Sequence, residues 1–530
     1  MGIWNCRRCE RQCRSTHGYS NLCAHLSSCV GLTYKEMAWN IMRKGGVVGN
    51  RPSQVSLKRF FSVNVKWVVL RNMPIIEVEN QITREIAAIK PISAQTLSKY
   101  IEKVANVLVS TIGSEIMKSG LYTILMDGWS SGTDHYVAII AGFVCPRTNE
   151  YKEALLAIQP TLEASNLGAD AHIALFESTL QLYNLKKETL VCIIGDNCAT
   201  NKAISKRWKI PLVGCASHRF NLAVRKWIEE QPGLPEALTR LATLMGKARN
   251  VVPAAKLRTV QEAHNRDVVG ACKNNTTRWS SYMDMAERYL KIKADLEKVD
   301  DLDPFLLNKK EVLKIKDAHN PHFILMKTIT KALQLQEGTL QLARHLFDGL
   351  LNDEDEEYIC MHEYLSPASD FVLCPDFETG ICKIINGEVL TPSEAKACSK
   401  LLKRDVSQGS GPDDDSDIEG LTTMEKIERQ VMAFAKKQKT SHPVKATPAS
   451  IYVDVGLLIR PTSNACERLF SEANYILPPH RRCMSPKMFE ALLYLRKNIE
   501  YWDVYTVAQV VQSVDADSED SKEDVSDDED

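Results

Sequence analysis

At 530 residues the chain is longer than a single hydrophobic core usually supports, so we expect two or three structural units. Its composition, 44% hydrophobic and 25% charged, is typical of a globular protein, and its longest apolar run, Tyr136–Cys145, is too short to cross a bilayer, which argues against a membrane protein. The net charge of −1 combines a basic head and an acidic tail: residues 1–60 contain ten Lys and Arg against two Asp and Glu, and residues 513–530 contain ten acids and one Lys. A basic head is typical of a protein that binds a polyanion.

The first residues, Met1–Cys6, show no charged leader followed by an apolar stretch, so we expect the chain in the cytosol or the nucleus, and in the nucleus if it binds DNA. In those reducing compartments its 16 cysteines are expected to be free thiols or metal ligands. The basic run Lys436–Lys439 is a weak candidate for a nuclear-import signal, or simply the basic end of a helix.

Seven of the first thirty residues are Cys or His, and four of them form two spaced pairs. Cys6 and Cys9 are separated by two residues, His25 and Cys29 by three, and fifteen residues lie between the pairs. This arrangement supplies the four ligands that a tetrahedral zinc ion needs, so we predict a zinc site; the alternative is a cluster of reduced structural cysteines. Three further candidate ligands lie in the same segment: Cys13, His17 and Cys23.

Residues 43–58 are rich in Gly, Pro and Ser with little apolar periodicity, which predicts a linker. After Pro91-Ile92-Ser93, apolar residues follow at spacings of three or four and predict one face of a long amphipathic helix. The residues of this stripe are Leu97, Ile101, Val104, Leu108, Ile112 and Ile116.

From Leu121 the pattern changes to apolar runs that are typical of strands. The order is three strands, helix, strand, helix, strand, helix, which predicts a mixed α/β sheet covered by helices. The predicted strands are Leu121–Met126, Tyr136–Phe143, Ala154–Ile158, Leu190–Ile194 and Pro211–Gly214. The predicted helices are Ala169–Tyr183, a short helix after Asn197, and His218–Trp227.

Two acids follow predicted strands of this sheet. Asp127 comes directly after the first strand, and Asp196 follows the fourth in Gly195-Asp196-Asn197. If these strands are neighbours, the two carboxylates can share a divalent ion, and their hard oxygens favour magnesium or manganese over zinc. Alternatively, each Asp is a turn or cap residue.

The remaining sequence is predicted to be mainly helical and irregular over residues 235–400, with a flexible break at 406–420. A closing helix carries an apolar stripe that must be buried against the core or a partner chain. This stripe consists of Met488, Leu492, Leu495, Ile499 and Trp502.

Several short motifs resemble those of the hAT superfamily of DNA transposases, and they occur in that family's order along nearly the whole chain. These motifs are Asp127-Gly128-Trp129-Ser130, Gly195-Asp196-Asn197 with Asn201, Gly214–Leu222, and Pro461–Ser471. The last motif, with Arg481-Arg482 and Leu495–Trp502, resembles the hAT C-terminal dimerisation region. Around the cysteines, Trp4 and Gly18–Leu22 resemble a BED-type zinc finger, which implies DNA binding.

The resemblance implies an RNase H-like core that cuts DNA with two magnesium or manganese ions. By motif, Asp127 and Asp196 resemble the first two catalytic acids and Glu467 the third, all acting as metal ligands. The family's paired-Trp segment before Pro461 is absent, and Ser450–Val455 stands in its place. The implied partners are double-stranded DNA and a second copy of the chain, in a homodimer or a higher oligomer.

Two more motifs contain candidate DNA contacts. Cys215 and His218 match the family's Cys-x2-His motif beside the active site; alternatively they form a second zinc half-site, or a packed Cys with a helix-starting His. Arg278 and Trp279 match a motif whose Trp is thought to stack on a displaced base, which would contribute roughly 1 to 3 kcal/mol. The alternative is that Trp279 is a core aromatic.

The expected architecture is a multidomain chain with an α/β RNase H-like core interrupted by an α-helical insertion and preceded by a small zinc finger. Its expected segments are a BED-type zinc finger (1–32), a basic linker (33–64), a helical DNA-binding region (65–119), the first part of the core (120–234), a helical insertion ending in a disordered acidic linker (235–420), the hAT dimerisation region that completes the core (421–512) and a disordered acidic tail (513–530).

The sequence therefore predicts a transposase, or a protein derived from one, that binds, cleaves and joins DNA. The main alternative is a domesticated, catalytically silent BED zinc-finger protein that acts in transcription or chromatin. A nuclease acting on RNA hybrids would share the sheet and the acids, but it gives no reason for a finger or a dimerisation region. The acidic tail is either a solvated segment or a competitor of DNA for the basic head.

Overall fold

The structure is a computed structural model that describes residues 2–5, 12–15, 64–87, 92–132, 134–160, 168–272, 280–352, 357–403, 451–477, 484–503 and 505–511. The chain divides into two compact units, one formed by Met1–Ile112 with Ser471–Asp530 and the other by Gly113–Phe470. Several predicted features lie outside the described residues: Cys6, Cys9, His25, Cys29, Arg278, Trp279, the linker at 43–58, the break at 406–420 and the tail at 513–530.

The first unit begins with an antiparallel hairpin formed by Gly2–Asn5 (β1) and Gln12–Ser15 (β2). Residues 64–71 are helical, and a 3-10 helix at Ile75–Val78 precedes the helix Gln81–Ala87 (α1). The long helix Ala94–Ser119 (α2) follows, of which residues 94–112 belong to this unit. The six apolar residues predicted for its inner stripe are each at most 1% exposed, so the amphipathic helix is confirmed.

The second unit is built on a mixed five-stranded sheet in the spatial order β5-β4-β3-β6-β7. Strand β4 runs antiparallel to both of its neighbours, whereas β3, β6 and β7 run parallel to one another. All five predicted strands are therefore present. Their bounds are Tyr122–Ser131 (β3), Asp134–Val144 (β4), Tyr151–Pro160 (β5), Leu190–Gly195 (β6) and Leu212–Gly214 (β7).

Strand β3 extends five residues beyond its predicted end at Met126. Its pairing with β4 continues from Asp127, opposite Ala138, to the hairpin turn, where Gly132 has a φ of 65°. Its pairing with β6 extends only to Leu125, opposite Ile194. The prediction that Asp127 directly follows a strand is therefore wrong, because Asp127 lies within β3, two residues past its last pair with the parallel neighbour β6.

Helices connect and follow the parallel strands, as the sequence predicts. Ala169–Leu182 (α3) precedes β6, Ala199–Trp208 (α4) joins β6 to β7, and Ala216–Glu230 (α5) follows β7. A short 3-10 helix, Lys187–Thr189, leads into β6. All six residues of β6 are buried, as expected for a central parallel strand with both faces covered.

From Leu234 to Leu401 the chain is mainly helical, as predicted. The α-helices are Leu234–Lys247 (α6), Val251–Ala263 (α7), Ser280–Leu296 (α8), Lys309–Asp317 (α9), Ile324–Leu333 (α10), Leu340–Leu351 (α11), His362–Leu365 (α12), Pro375–Asn386 (α13) and Pro392–Ala397 (α14). Shorter helical turns are Asp300–Phe305, Ala318–Phe323, Ile359–Met361 and Ser399–Leu401. One hydrophobic cluster joins this region to Phe220 and Trp227 of α5.

The C-terminal part contains Val455–Leu458 (α15) and Asn464–Ile476 (α16), whose residues 464–470 belong to the second unit. In the first unit, Pro486–Lys497 (α17) is followed by a 3-10 helix at Ile499–Tyr501 and by helical residues 505–511. Met488, Leu492, Leu495 and Trp502 are buried as predicted. The prediction is wrong for Ile499, which is 38% exposed because it lies beyond the end of α17, in the 3-10 helix Ile499–Tyr501. Across the described parts of the chain, no helix is long and apolar enough to span a membrane.

Candidate active site

Asp127 lies in β3, and Asp196 directly follows β6, the parallel neighbour of β3. Leu125 opposite Ile194 is the last pair between these two strands, and each acid lies two residues past it. A Cβ built on Gly195 would lie 3.2 Å from the carbonyl oxygen of Met126, which agrees with this register. If this register continues past the last pair, both carboxylates project to the same face of the sheet.

A histidine that the sequence analysis missed lies against the backbone next to Asp127. A Cβ on Gly128 would lie 2.9 Å from the ring of His135. His135 Nδ1 lies 2.9 Å from Ser130 Oγ, and the Gly128 amide donates to Asp127 Oδ1 at 2.8 Å. Burial lowers the pKa of His135, and His172 adds to this effect. The hairpin register alone, with Ser130 opposite His135, could have indicated this neighbour.

Asp196 has an imidazole beside its carboxylate. His218 Nδ1 lies 3.4 Å from Asp196 Oδ2, and both side chains are about one-third exposed, at 34% and 30%. Burial raises the pKa of the Asp196 carboxyl, whereas the neighbouring His218 opposes this rise. The Asn201 side chain donates to the Asp196 carbonyl oxygen at 3.0 Å, so a residue of the same motif fixes the backbone at Asp196.

Asn197 connects the motif around Asp196 to the motif that begins at Gly214. Asn197 is 6% exposed, and its Nδ2 donates to the Phe371 carbonyl oxygen at 2.9 Å. A Cβ on Gly214 would collide with the Asn197 side-chain amide. Gly214 pairs with Gly195, and the Cys215 amide donates to the Gly195 carbonyl at 2.8 Å. The two motifs are therefore packed directly on each other.

Cys215 and His218, the two ends of the four-residue Cys-x2-His motif, have different surroundings. Cys215 is 2% exposed, and its Sγ accepts a hydrogen bond from the Ser463 amide at 3.4 Å. Burial raises the pKa of the Cys215 thiol to about 11, which keeps it protonated at neutral pH. The adjacent Ala216 amide donates to the Pro461 carbonyl at 2.9 Å. Of the three interpretations of this motif, these contacts favour packing for Cys215 and a place beside the acid pair for His218.

Glu467, the third predicted acid, lies in the first turn of α16. This helix begins at Asn464, whose side chain donates to the Leu333 carbonyl at 3.3 Å. One turn after Glu467, the ring of Phe470 stacks on Trp129 with 6.0 Å between centroids and 13° between planes. The motif at 461–471 therefore contacts both the Trp129 motif and the Cys215 motif, although more than 240 residues separate it from either.

The chemistry of the acid pair fits a hard divalent cation. Asp127 and Asp196 offer carboxylate oxygens, which magnesium and manganese prefer, and a cation between them would relieve the repulsion of two like charges. Within the described residues, no group of three or more His, Cys, Asp or Glu is gathered as a metal site. The three predicted acids, Asp127, Asp196 and Glu467, are therefore not gathered into one three-ligand group among the described residues, and their role as metal ligands stays a prediction.

The comparisons with known proteins give no family assignment. No family model matches the chain, and no curated protein is significantly similar to it. The functional interpretation therefore depends on the motifs and on the geometry described above.

Proposed function

We propose that the protein is a hAT-type transposase, or is derived from one, and that it binds DNA, dimerises, and cleaves and joins DNA ends by two-metal phosphodiester chemistry. The observation that carries this proposal is that Asp127 and Asp196 each lie two residues past Leu125 and Ile194, the last pair between the neighbouring parallel strands β3 and β6. Neighbouring acid-bearing strands are what an RNase H-like sheet requires. The mixed five-stranded sheet with helices around it supports assigning it as such a core.

A second observation supports the same proposal. The motif at 461–471 packs on the Cys215 turn through Ser463 and Pro461, and on Trp129 through Phe470. Residues this far apart in sequence meet only because the chain returns to the sheet after the helical region at 234–401. This return is what the proposal needs, because Glu467 would have to complete the acid set from the far end of the chain.

In this mechanism Asp127, Asp196 and Glu467 act as metal ligands rather than as general bases. When bound, two divalent ions would activate a water or a 3′-hydroxyl and stabilise the leaving oxygen. His218 holds the Asp196 carboxylate from one side at 3.4 Å. The buried Cys215 and the Trp129–Phe470 stack fix the backbone on which the acids are carried.

The N-terminal Cys and His residues would bind zinc and, with the basic head, contact double-stranded DNA in the nucleus. Phosphate contacts would supply most of this affinity, which should then fall steeply with salt. The C-terminal motifs would provide the contact between two copies of the chain. All of these roles follow from the resemblance and belong to the proposal.

The direct test is cleavage of a labelled duplex that carries the gene's own flanking ends, in magnesium or manganese. We expect metal-dependent cutting by the wild type and none by Asp127→Ala, Asp196→Ala or Glu467→Ala, with duplex binding retained in all three. Asp170→Ala is the matched control, because this exposed carboxylate of α3 pairs with Arg207 on the surface. If the wild type binds the duplex and never cuts it, the enzymatic proposal fails and the silent DNA-binding protein takes its place.

A further inference from the structure

Arg219, one residue after His218, is a buried cation whose partners all lie in the helical region. Arg219 is 4% exposed. Its Nε donates to the Tyr364 carbonyl at 2.9 Å, and its Nη2 donates to the Leu365 carbonyl at 3.3 Å. Its Nη1 donates to Glu378 Oε2 at 3.0 Å. The guanidinium is therefore held on three sides by residues 364–378.

Glu378 also holds the other end of the same turn. Its second oxygen, Oε1, accepts a hydrogen bond from the Gly214 amide at 3.1 Å, and the residue is 8% exposed. One carboxylate thus joins Gly214, the last residue of β7, to Arg219 in the first turn of α5. The residues between them include Cys215 and His218, so Glu378 closes the turn that presents His218 to Asp196.

The same segment also holds the residue next to Asp196. The Phe371 carbonyl accepts from Asn197 Nδ2 at 2.9 Å, and the Phe371 ring lies 4.9 Å from Lys202 Nζ. Tyr364 and Phe371 pack edge to face at 5.1 Å, so the segment has its own internal contact. Residues 364–378 therefore contact both motifs that surround Asp196.

From these contacts we infer that Glu378 is a positioning residue for the proposed metal site, acting through Asp196 and His218. This inference rests on the proposed function. A buried ion pair is often no more stabilising than apolar residues of the same volume, but its directional bonds select one arrangement of the groups they join. Residues that orient the ligands of a metal are needed for its affinity even though they do not touch it.

The test compares manganese binding, by titration calorimetry, with thermal stability for the full-length protein. In the double variant Arg219→Met/Glu378→Leu both charges are removed and most of the volume is kept, so the fold is expected to survive. We expect a melting temperature close to that of the wild type but manganese affinity lower by on the order of ten-fold or more. Glu394→Gln is the matched control, because this buried carboxylate of the helical region binds Lys383 at 2.9 and 3.0 Å and should leave manganese affinity unchanged.

A second variant covers the case in which the double variant does not fold. Glu378→Asp keeps the charge but shortens the reach to Gly214 and Arg219, so its manganese affinity should lie between those of the wild type and the double variant. If the folded double variant binds manganese as tightly as the wild type does, the inference is overturned and the proposed function stands. The same holds for Glu378→Asp if only that variant folds. If Asp127→Ala and Asp196→Ala bind manganese as tightly as the wild type does, the proposed function is overturned, and this inference with it.

Discussion

Gly128 and Gly214 lie at two points of the candidate site where a side chain would have no room. At Gly128 the obstacle is the imidazole of His135, and at Gly214 it is the amide of Asn197. An imidazole at the rim of a hairpin can turn away, whereas Asn197 is held by its hydrogen bond to Phe371. The requirement for glycine is therefore stricter at Gly214.

The first prediction compares two glycine-to-alanine changes. Gly214→Ala should lower the free energy of unfolding by roughly 1 to 3 kcal/mol, because the added methyl group overpacks a site whose neighbour is fixed. Gly246→Ala, in α6, should raise it by about 0.5 to 1 kcal/mol, because a Cβ there meets nothing within 4 Å and alanine favours a helix. Urea unfolding of both variants measures the two changes. Equal midpoints for Gly214→Ala and the wild type would mean that Asn197 moves aside freely.

Single residues also separate what sequence can and cannot indicate. The placement of Asp127 and Asp196 on neighbouring strands was partly predictable, because both acids follow apolar runs that sequence identifies as strands. Glu378 was not, because an acid in the first turn of a helix such as α13 normally faces solvent and favours the helix dipole. Its burial results from packing against Gly214 and Arg219, which lie about 160 residues earlier in the chain.

At the scale of elements, apolar patterns predicted α2 and all five strands of the sheet. They predicted strand ends less well, because an apolar run reports burial whereas a strand is defined by pairing. In β3 the buried residues end at Met126, but pairing with β4 continues through polar and half-exposed residues to Ser131. In α17 the opposite error occurred, since the apolar spacing continues to Ile499 although the helix ends at Lys497.

The contact between Trp129 of β3 and Phe470 of α16 is the element-scale contact that most directly concerns the site. The two rings stack at 6.0 Å, and Glu467 lies one turn before Phe470. Trp129 also lies 5.5 Å from the ring of Tyr136 in β4. The stack therefore ties the start of α16 to the strand that carries Asp127.

A double-mutant cycle on this stack is the second prediction. Trp129→Ala and Phe470→Ala should each destabilise the second unit, and the double variant should lose less than the sum by about 0.5 to 1.5 kcal/mol, the usual coupling of an aromatic pair. Urea unfolding of the three variants gives this coupling energy. As a control, Phe470→Ala with Phe347→Ala should be additive within about 0.5 kcal/mol, because Phe347 stacks on Phe220 instead. Additivity in the Trp129 cycle would mean that the stack does not hold α16 in place.

At the scale of the whole molecule, the helical region and the sheet belong to the same compact unit. The hydrophobic cluster that begins at Ala216 in α5 continues to Leu365 in α12. The polar contacts of Arg219 and Asn197 then cross from the sheet edge to residues 364–378. A region with this many buried links is expected to unfold together with the sheet rather than to open independently of it.

The proposed N-terminal zinc module should behave differently, because so small a module would depend on a bound metal to fold. The third prediction is therefore that the purified protein carries one zinc ion per chain and that Cys9→Ser loses it. Elemental analysis by mass spectrometry measures the zinc content. Cys360→Ser, which changes a free, half-buried thiol of the helical region, is the matched control and should keep the metal.

Loss of this zinc should remove DNA binding without unfolding the second unit, because that unit has its own extensive core. Duplex affinity of Cys9→Ser, measured by fluorescence anisotropy, should fall toward a weak residual level, while the melting temperature of the main transition stays at the wild-type value. In the wild type, the logarithm of the affinity should fall linearly with the logarithm of salt concentration, with a slope of about −0.9 for each phosphate neutralised by the basic head. If the zinc-free variant binds DNA with unchanged affinity and salt slope, the N-terminal module does not contact DNA. The phosphate contacts would then have to come from Lys and Arg elsewhere in the chain.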